Sequence, residues 1–254
     1  EPSKDTELFS LEQLEDAVQN WSGHFDTFLS GHKRAPKFMM PNHWDFLLHY
    51  ATNNNKPELL EFVDTTLTRM AYGGIYDHVG GGFSRYAVDI KWHVPHFEKM
   101  LYDNGQLTSL YAKAYAATKN ETYKAVVEGT IAFVKEELMG ESGGFYSSLD
   151  ADSLDGNGEL EEGAFYVWTK EELIGLLGTD FDIFQDYYNI NSYGLWEEEN
   201  YVLIRDKSDV EIAKKHGISV SDLKKRMKNA LSFLKKERNK RPKPRLDDKI
   251  LTSW

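Results

Sequence analysis

The strongest constraint on how this chain can fold is that its apolar residues recur at helical spacing in segments that come in adjacent pairs. Residues 42 to about 52 follow Pro41, and Pro57 opens a second helical stretch that runs to about residue 72. The pattern returns downstream. Phe97, Met100, Leu101, Leu107, Leu110, Tyr111, Ala114 and Tyr115 mark a helix to about residue 118, and after Lys119-Asn120 another spans 121 to 139. A further helix is expected from residue 8 to about 28, with Ser10-Leu11-Glu12-Gln13 reading as a capping box. Short links inside each pair make the neighbours antiparallel, so the basic unit is a helical hairpin.

Each hairpin is followed by a long loop rich in glycine and aromatic residues, at 73–95 and 140–168. Loops of that length without structure of their own are uncommon unless they serve a function. Gly82-Phe83-Ser84-Arg85-Tyr86 and Ala164-Phe165-Tyr166-Val167-Trp168 predict small β-hairpins inside them. The loops also echo one another. Gly73-Gly74-Ile75-Tyr76 and Gly143-Gly144-Phe145-Tyr146 recur 70 residues apart, each after a helix and each running into an Asp-containing stretch. Repetition of two helices plus an elaborated loop is what an α/α toroid with its loops gathered at one end requires.

Composition narrows the function classes. A chain of 254 residues with 41% hydrophobic content can bury a sizeable core. No run of eighteen apolar residues is present to span a bilayer, and Glu1-Pro2-Ser3-Lys4-Asp5 lacks the basic-then-apolar order of a secretory signal. The absence of cysteine excludes disulfides and thiolate metal sites within the sequence and fits a reducing compartment. The expectation is a soluble, cytoplasmic protein without membrane contact. Glu1 without an initiator Met, and the apolar onset at Ile250-Leu251-Thr252-Ser253-Trp254, lead us to expect a single fragment covering 1–254. Net charge is -11, yet residues 205–249 hold sixteen Lys/Arg against seven Asp/Glu. Because Lys224, Lys225, Lys228, Lys235 and Lys236 alternate with Val220, Leu223, Met227, Leu231 and Leu234, this excess is the solvated face of an amphipathic helix, and no nucleic-acid partner is expected.

Chemistry-bearing side chains concentrate between Tyr76 and Asp103, where three His, one Arg, two Lys and four acids sit among aromatics. Histidine carries protons near neutral pH, carboxylates orient or accept, arginine holds anionic or hydroxylated groups, and Tyr and Trp offer flat faces. That mixture suits a sugar-like ligand. Gly80-Gly81-Gly82 lacks the spacing and strand-loop-helix setting of a phosphate cradle, so backbone freedom in a tight hairpin is the plainer role. His78, His93, His96 and Glu98 have no ligand spacing that specifies a metal, and neither metal nor cofactor is expected. Asp150 to Glu159 fails the calcium-loop pattern by one residue and predicts an Asx-rich turn between hairpin strands. Glu98, Asp103, Asp150, Asp152 and Glu162 are the carboxylates from which a glycoside hydrolase would draw a pair.

Taken in order, Gly74 to Tyr86, Trp92 to Asp103, Ala35-Pro36-Lys37-Phe38, Gly143 to Ser153, Phe165-Tyr166-Val167-Trp168 and Arg241 to Trp254 closely resemble the YyaL and spermatogenesis-associated protein 20 family. The chain departs from that family at Ser30-Gly31-His32-Lys33, where Gly-Gly-Phe-Gly is usual, and at Met39, where Pro is usual. The resemblance implies an upstream thioredoxin-like domain as intramolecular partner. It also implies an all-α fold, a partial (α/α)6 toroid of helical hairpins with short β-hairpins in the long loops. Such toroids are similar to N-acylglucosamine and cellobiose 2-epimerases and to six-hairpin glycosidases, and this chain would supply about the first half of the ring.

The activity so implied is proton transfer on a free saccharide. His96, Glu98, His78 and Asp103 are the catalytic candidates, with His96 as proton carrier and Glu98 orienting it. Arg85, Tyr86, Trp92, Lys99, Asp150, Asp152, Trp168, Asp247 and Asp248 are the substrate-binding candidates. Paired-carboxylate glycoside hydrolysis and a non-catalytic, partner-binding scaffold are the alternatives. A half ring would also expose apolar edges, so self-association is expected.

Overall fold

The computed structural model describes residues 10–252. Nine α-helices are described: α1 Leu11–Ser22, α2 Pro41–Asn53, α3 Pro57–Tyr72, α4 Leu101–Thr118, α5 Glu121–Phe133, α6 Lys170–Leu177, α7 Phe181–Tyr187, α8 Asp209–His216 and α9 Val220–Arg238. Local sequence explains most of their starts. Ser10 caps α1 by accepting from the Gln13 N–H at 3.1 Å, while Gln13 Oε1 accepts from the Ser10 N–H at 2.9 Å. Pro41 and Pro57 sit at the first helical positions of α2 and α3, where a missing N–H costs nothing.

Two boundaries differ from the sequence expectation, for tertiary reasons. The first helix stops at Ser22 instead of continuing to about residue 28, because Phe25 turns into a bridge with His32. The onset expected at residue 8 lies outside the described residues. Helix α4 begins at Leu101 rather than at Phe97, since residues 95–96 and 99–100 are drawn into strands. Helix α5 continues beyond Phe133 as a π-turn, Val134–Leu138.

Helix α2 packs on α3 and α4 on α5, while α2 also meets α4 and α3 meets α5, so the two hairpins stack as parallel layers. Trp44, Leu47, Val63, Leu67, Met70, Leu107, Leu110, Tyr111 and Tyr123 fill the space between them, and Val18 of α1 joins this core. Full burial of each large side chain stabilises the layers by about 1.5–3 kcal/mol. The Tyr111 hydroxyl is satisfied by donating to the Leu67 carbonyl at 2.7 Å. A second core, built from Trp168, Leu173, Phe184, Ile212, Leu223, Met227 and Leu234, knits α6 to α9. As the lysine pattern requires, α9 buries Leu223, Met227 and Leu234 and presents its basic face to solvent. No helix among the described residues is long and apolar enough to cross a membrane.

Short antiparallel strands decorate this helical body. Strands β1 Lys37–Phe38, β2 Tyr86–Ala87 and β3 Pro95–His96 form one sheet in that order, with Phe38, Tyr86 and His96 in register. Strand β4 Lys99–Met100 pairs with β5 Ser148–Leu149, which pairs in turn with β10 Leu246–Asp247. β6 Asp152–Leu154 and β7 Leu160–Glu162 make a hairpin whose turn is tied by Asp155, its Oδ1 accepting from the Asn157 and Glu159 N–H groups at 2.8 Å each. The hairpin expected at 164–168 is instead a turn leading into β8 Trp168–Thr169, which pairs with the distant β9 Asn200–Tyr201. Because β1 precedes α2, β2 follows α3 and β3 precedes α4, the first sheet lies at the end of the layers where α2 and α4 begin.

Candidate functional site

That sheet carries a row of rings. In-register pairing stacks Phe38 on Tyr86, centroids 4.8 Å apart, and Tyr86 on His96 at 4.9 Å and 19°. His96 is therefore held flat against an aromatic neighbour with its ring edge open to polar partners. Its Nδ1 donates to Glu162 Oε1 at 2.6 Å, while its Nε2 lies 4.0 Å from Glu98 Oε2. The orienting contact thus comes from Glu162, at the end of β7, and not from Glu98. A proton fixed on Nδ1 leaves Nε2 as the basic nitrogen of the neutral ring.

Glu98 instead accepts from Arg85 Nη1 at 3.0 Å, and Arg85 is also bonded by Tyr102. Arg85 and Tyr102 border a cleft of ≈ 250 Å³ with Asp103, Phe38, Met40, Asn42 and His43. Burial pushes the Asp103 carboxyl up to about 7, with Glu98 adding to the rise and Arg85 opposing it. Its Oδ2 is buried and has no hydrogen-bond partner among the described residues. One wall of the cleft therefore holds a carboxyl group that is about half protonated at pH 7. Next to it stands the Arg85–Glu98 pair, and His96 lies on the far side of that pair, 4.0 Å from Glu98 and outside the residues that line the cleft.

Five sequence-nominated residues, His96, Glu98, Asp103, Arg85 and Tyr86, are brought together here. The remainder lie elsewhere. His78 is half-buried with Nε2 donating to the Tyr72 and Gly73 carbonyls at 3.2 and 3.1 Å, and desolvation lowers it to about 4, so it is neutral at pH 7. Trp92 and Trp168 are core side chains, 0% and 1% exposed. Trp92 fits because Gly31 has no side chain; a Cβ there would stand 2.6 Å from the indole Cζ2. Asp150 faces Arg245 at 3.4 Å, Asp247 pairs with Lys249 at 2.9 Å, and Asp152 and Asp248 are exposed.

Lys99 belongs to a separate buried cluster. Its Nζ donates to Asp77 Oδ2 at 2.8 Å and to the Gly81 carbonyl at 2.9 Å, and Arg238 grips the same Asp77 through two bonds of 2.8 Å. The two cations hold the Asp77 carboxyl far below the usual carboxylate range against the opposing effect of burial, and burial lowers Lys99 to about 8. Sequence reasoning missed Arg238, which pairs across 161 residues and carries no local signal. Glu162 was legible only as one carboxylate among several.

The same region recurs in known proteins. The chain is 38% identical to an uncharacterised Caenorhabditis elegans protein, with 91% of the chain and 35% of that protein matched. It is 36% identical to human spermatogenesis-associated protein 20, over 91% of the chain and 32% of the relative, and equally so to the mouse protein. The chain is a homologue of spermatogenesis-associated protein 20. It spans about a third of the length of these relatives. No protein-family profile matches it. Among solved structures it is similar to a sugar epimerase from a ruminal bacterium (TM-score 0.48, 14% identity, 91% of this chain and 73% of that one). It is also similar to cellobiose 2-epimerase from Spirochaeta thermophila (TM-score 0.46, 16% identity, 83% and 60%).

Proposed function

We propose that this homologue of spermatogenesis-associated protein 20 is a sugar-active module, part of an α/α toroid, that moves a proton on a small free saccharide bound in the Asp103 cleft. The stacking of hairpin α2/α3 on hairpin α4/α5, with sheets gathered at the helix ends, supports the toroid. The reaction reading rests on one observation above all. An Nδ1-anchored histidine stands 4.0 Å from Glu98, Glu98 pairs with Arg85, and Arg85 borders a cleft holding a carboxyl whose pKa burial raises to about 7.

In this reading His96 Nε2 takes the proton from the carbon next to the sugar carbonyl, and Glu162 stabilises the imidazolium through Nδ1. Asp103 gives its proton to the carbonyl oxygen as the carbon–hydrogen bond breaks, so an enediol forms without net charge. Epimerisation is completed when Asp103 takes back the enediol hydroxyl proton, a solvent water on the opposite face protonates the carbon, and His96 releases its proton to the hydroxide so formed. Arg85 and the Phe38–Tyr86 ring row hold hydroxyls and a ring face of the substrate.

Proton abstraction from carbon exchanges that hydrogen with solvent. The test is therefore proton NMR of reducing mono- and disaccharides incubated in D2O with the chain and with a full-length relative. Loss of the C2 proton signal is expected, slowed about 10²–10⁴-fold by His96→Ala. No exchange with any sugar, or exchange indifferent to His96→Ala, would reject the reading and favour a binding scaffold.

A specific feature favours hydrolysis as the second reading. Asp103, its pKa raised by burial, and Glu98, paired to arginine, are neighbouring carboxyl groups in contrasting environments, as an acid and a base or nucleophile would be. Shortening of an oligosaccharide without C2 exchange would identify it.

A further inference from the structure

A second hollow, of ≈ 280 Å³, opens behind the cleft between the end of α1 and the loop that follows it, and is lined by Trp21, His24, His32, Lys33 and Arg34. Its lining contains no carboxylate. Between Trp21 and Trp44 the chain has a single acid, Asp26, against Lys33, Arg34, Lys37 and three histidines. Asp26 is already committed, since its Oδ2 pairs with the buried Lys37 Nζ at 2.9 Å and its Oδ1 accepts from the Phe28 and Leu29 N–H groups at 3.0 and 2.8 Å. A chain with net charge -11 has thus set aside one pocket whose charge is entirely of the opposite sign.

The pocket is built, not a chance meeting of surface side chains. Phe25 bridges His32, the Asp26 N–H donates to the Gly31 carbonyl at 2.8 Å, and the Lys33 N–H donates to the His24 carbonyl at 3.2 Å, so a tight hairpin sets His24 across from Lys33. Lys37 donates to the Ser30 carbonyl at 2.6 Å and pins the hairpin tip, where Ser30 and Gly31 both take positive φ. Within this frame the donors are idle. Among the described residues neither His24 nor the Arg34 guanidinium has a side-chain partner, and Lys33 reaches only the Gly23 carbonyl, at 3.4 Å. Burial lowers the His32 pKa, and the neighbouring His43, Arg34, His24 and Lys37 lower it further. An anion in the hollow would offset that positive surrounding.

We propose that this hollow is a binding site for the phosphoryl group of a small molecule, with Arg34 and Lys33 as charged donors and His24 and His32 as protonatable ones. Arginine's fork and the two imidazole N–H groups suit a tetrahedral oxyanion, and the ≈ 280 Å³ volume has room for such a group and part of what it is attached to. The site also touches the cleft. His32 Nε2 and His43 Nδ1 are 3.2 Å apart, and His43 lines the cleft with Arg85 and Asp103. When an anion draws a proton onto His32, its Nε2 becomes the donor in that contact, and a neutral His43 must then carry its proton on Nε2. Anion binding in one hollow would thereby fix the imidazole tautomer presented to the other. The proposal stands whether or not the cleft acts on sugars.

The test follows histidine ring resonances of the chain by NMR while inorganic phosphate is added at constant ionic strength, with sulfate and acetate as parallel titrations. Saturable shifts are expected at His24 and His32, smaller with acetate, and absent at His49, which is not among the lining residues. Exposed Lys33 and Arg34 can be replaced without disturbing the core, and Lys33→Gln/Arg34→Gln should raise the phosphate dissociation constant at least about tenfold while thermal melting is unchanged. Linear, unsaturating shifts, shifts of equal size at His49, or a double variant that binds phosphate as well as the parent would overturn the assignment. Sugar exchange measured separately decides the fate of the cleft reading and leaves this result untouched.

Discussion

Replacing Asp103 by Asn should make the protein more stable, and by an amount that depends on pH. The carboxyl titrates near 3.8 when free in an unfolded chain and at about 7 in its half-buried place beside the cleft. Between those values the folded state retains a proton that the unfolded state has released. Stability is therefore fully present below 3.8, falls progressively as pH rises, and is lost completely once pH passes the folded value of about 7. At roughly 1.4 kcal/mol per unit, the loss is about 4 kcal/mol at pH 8 and about 1.5 kcal/mol at pH 5. An amide has no such charge to release, so the advantage of Asp103→Asn should grow by about 2–3 kcal/mol from pH 5 to pH 8. Urea unfolding followed by tryptophan fluorescence at both values measures it directly. A difference between variant and parent that is the same at pH 5 and pH 8 would refute the argument that burial holds this proton. Under the proposed chemistry the variant would also lose turnover, a stabilisation obtained at the expense of function.

Two further outcomes follow from packing. Asp77→Asn leaves the Lys99 ammonium and the Arg238 guanidinium buried, at 2% and 4% side-chain exposure, without their counter-ion, and should cost about 3–5 kcal/mol in the same unfolding assay. Gly105, inside α4, has open space where a Cβ would go, so Gly105→Ala should stabilise by roughly 0.5–1 kcal/mol. Gly81→Ala should do the reverse, because Gly81 has φ +80° and sits against the Gly129 backbone; melting temperatures that move in the same direction would contradict this.

What was legible in the sequence was whatever short-range chemistry controls. The Ser10/Gln13 box, the prolines that open α2 and α3, the Asp155 turn and the apolar stripe of α9 can each be read within a few residues, and each lies where expected. The onset of α4 was not legible, because Pro95-His96 and Lys99-Met100 are helix-compatible locally and become strands only by pairing with β2 and β5. The site shows the same division. Glu98, Arg85 and Asp103 come from one stretch, whereas Glu162 reaches His96 across 66 residues through the β6/β7 hairpin. Trp92 and Trp168 looked like ligand platforms because aromatic loops suggest stacking, but their area is spent on the cores.

The Asp77 cluster bears on how the molecule comes apart. Asp77 stands in a loop whose Ile75 and Phe83 belong to the first core and whose Val79 belongs to the second, and Arg238 closes the last turn of α9. Neither core can open without leaving part of that loop solvated and a buried charge unmatched. Asp77, Lys99 and Arg238 therefore couple the two halves. The chain should melt in a single transition, with amide hydrogens of α3 and α9 exchanging at the same limiting rate, and neutralising Asp77 should split that transition in two.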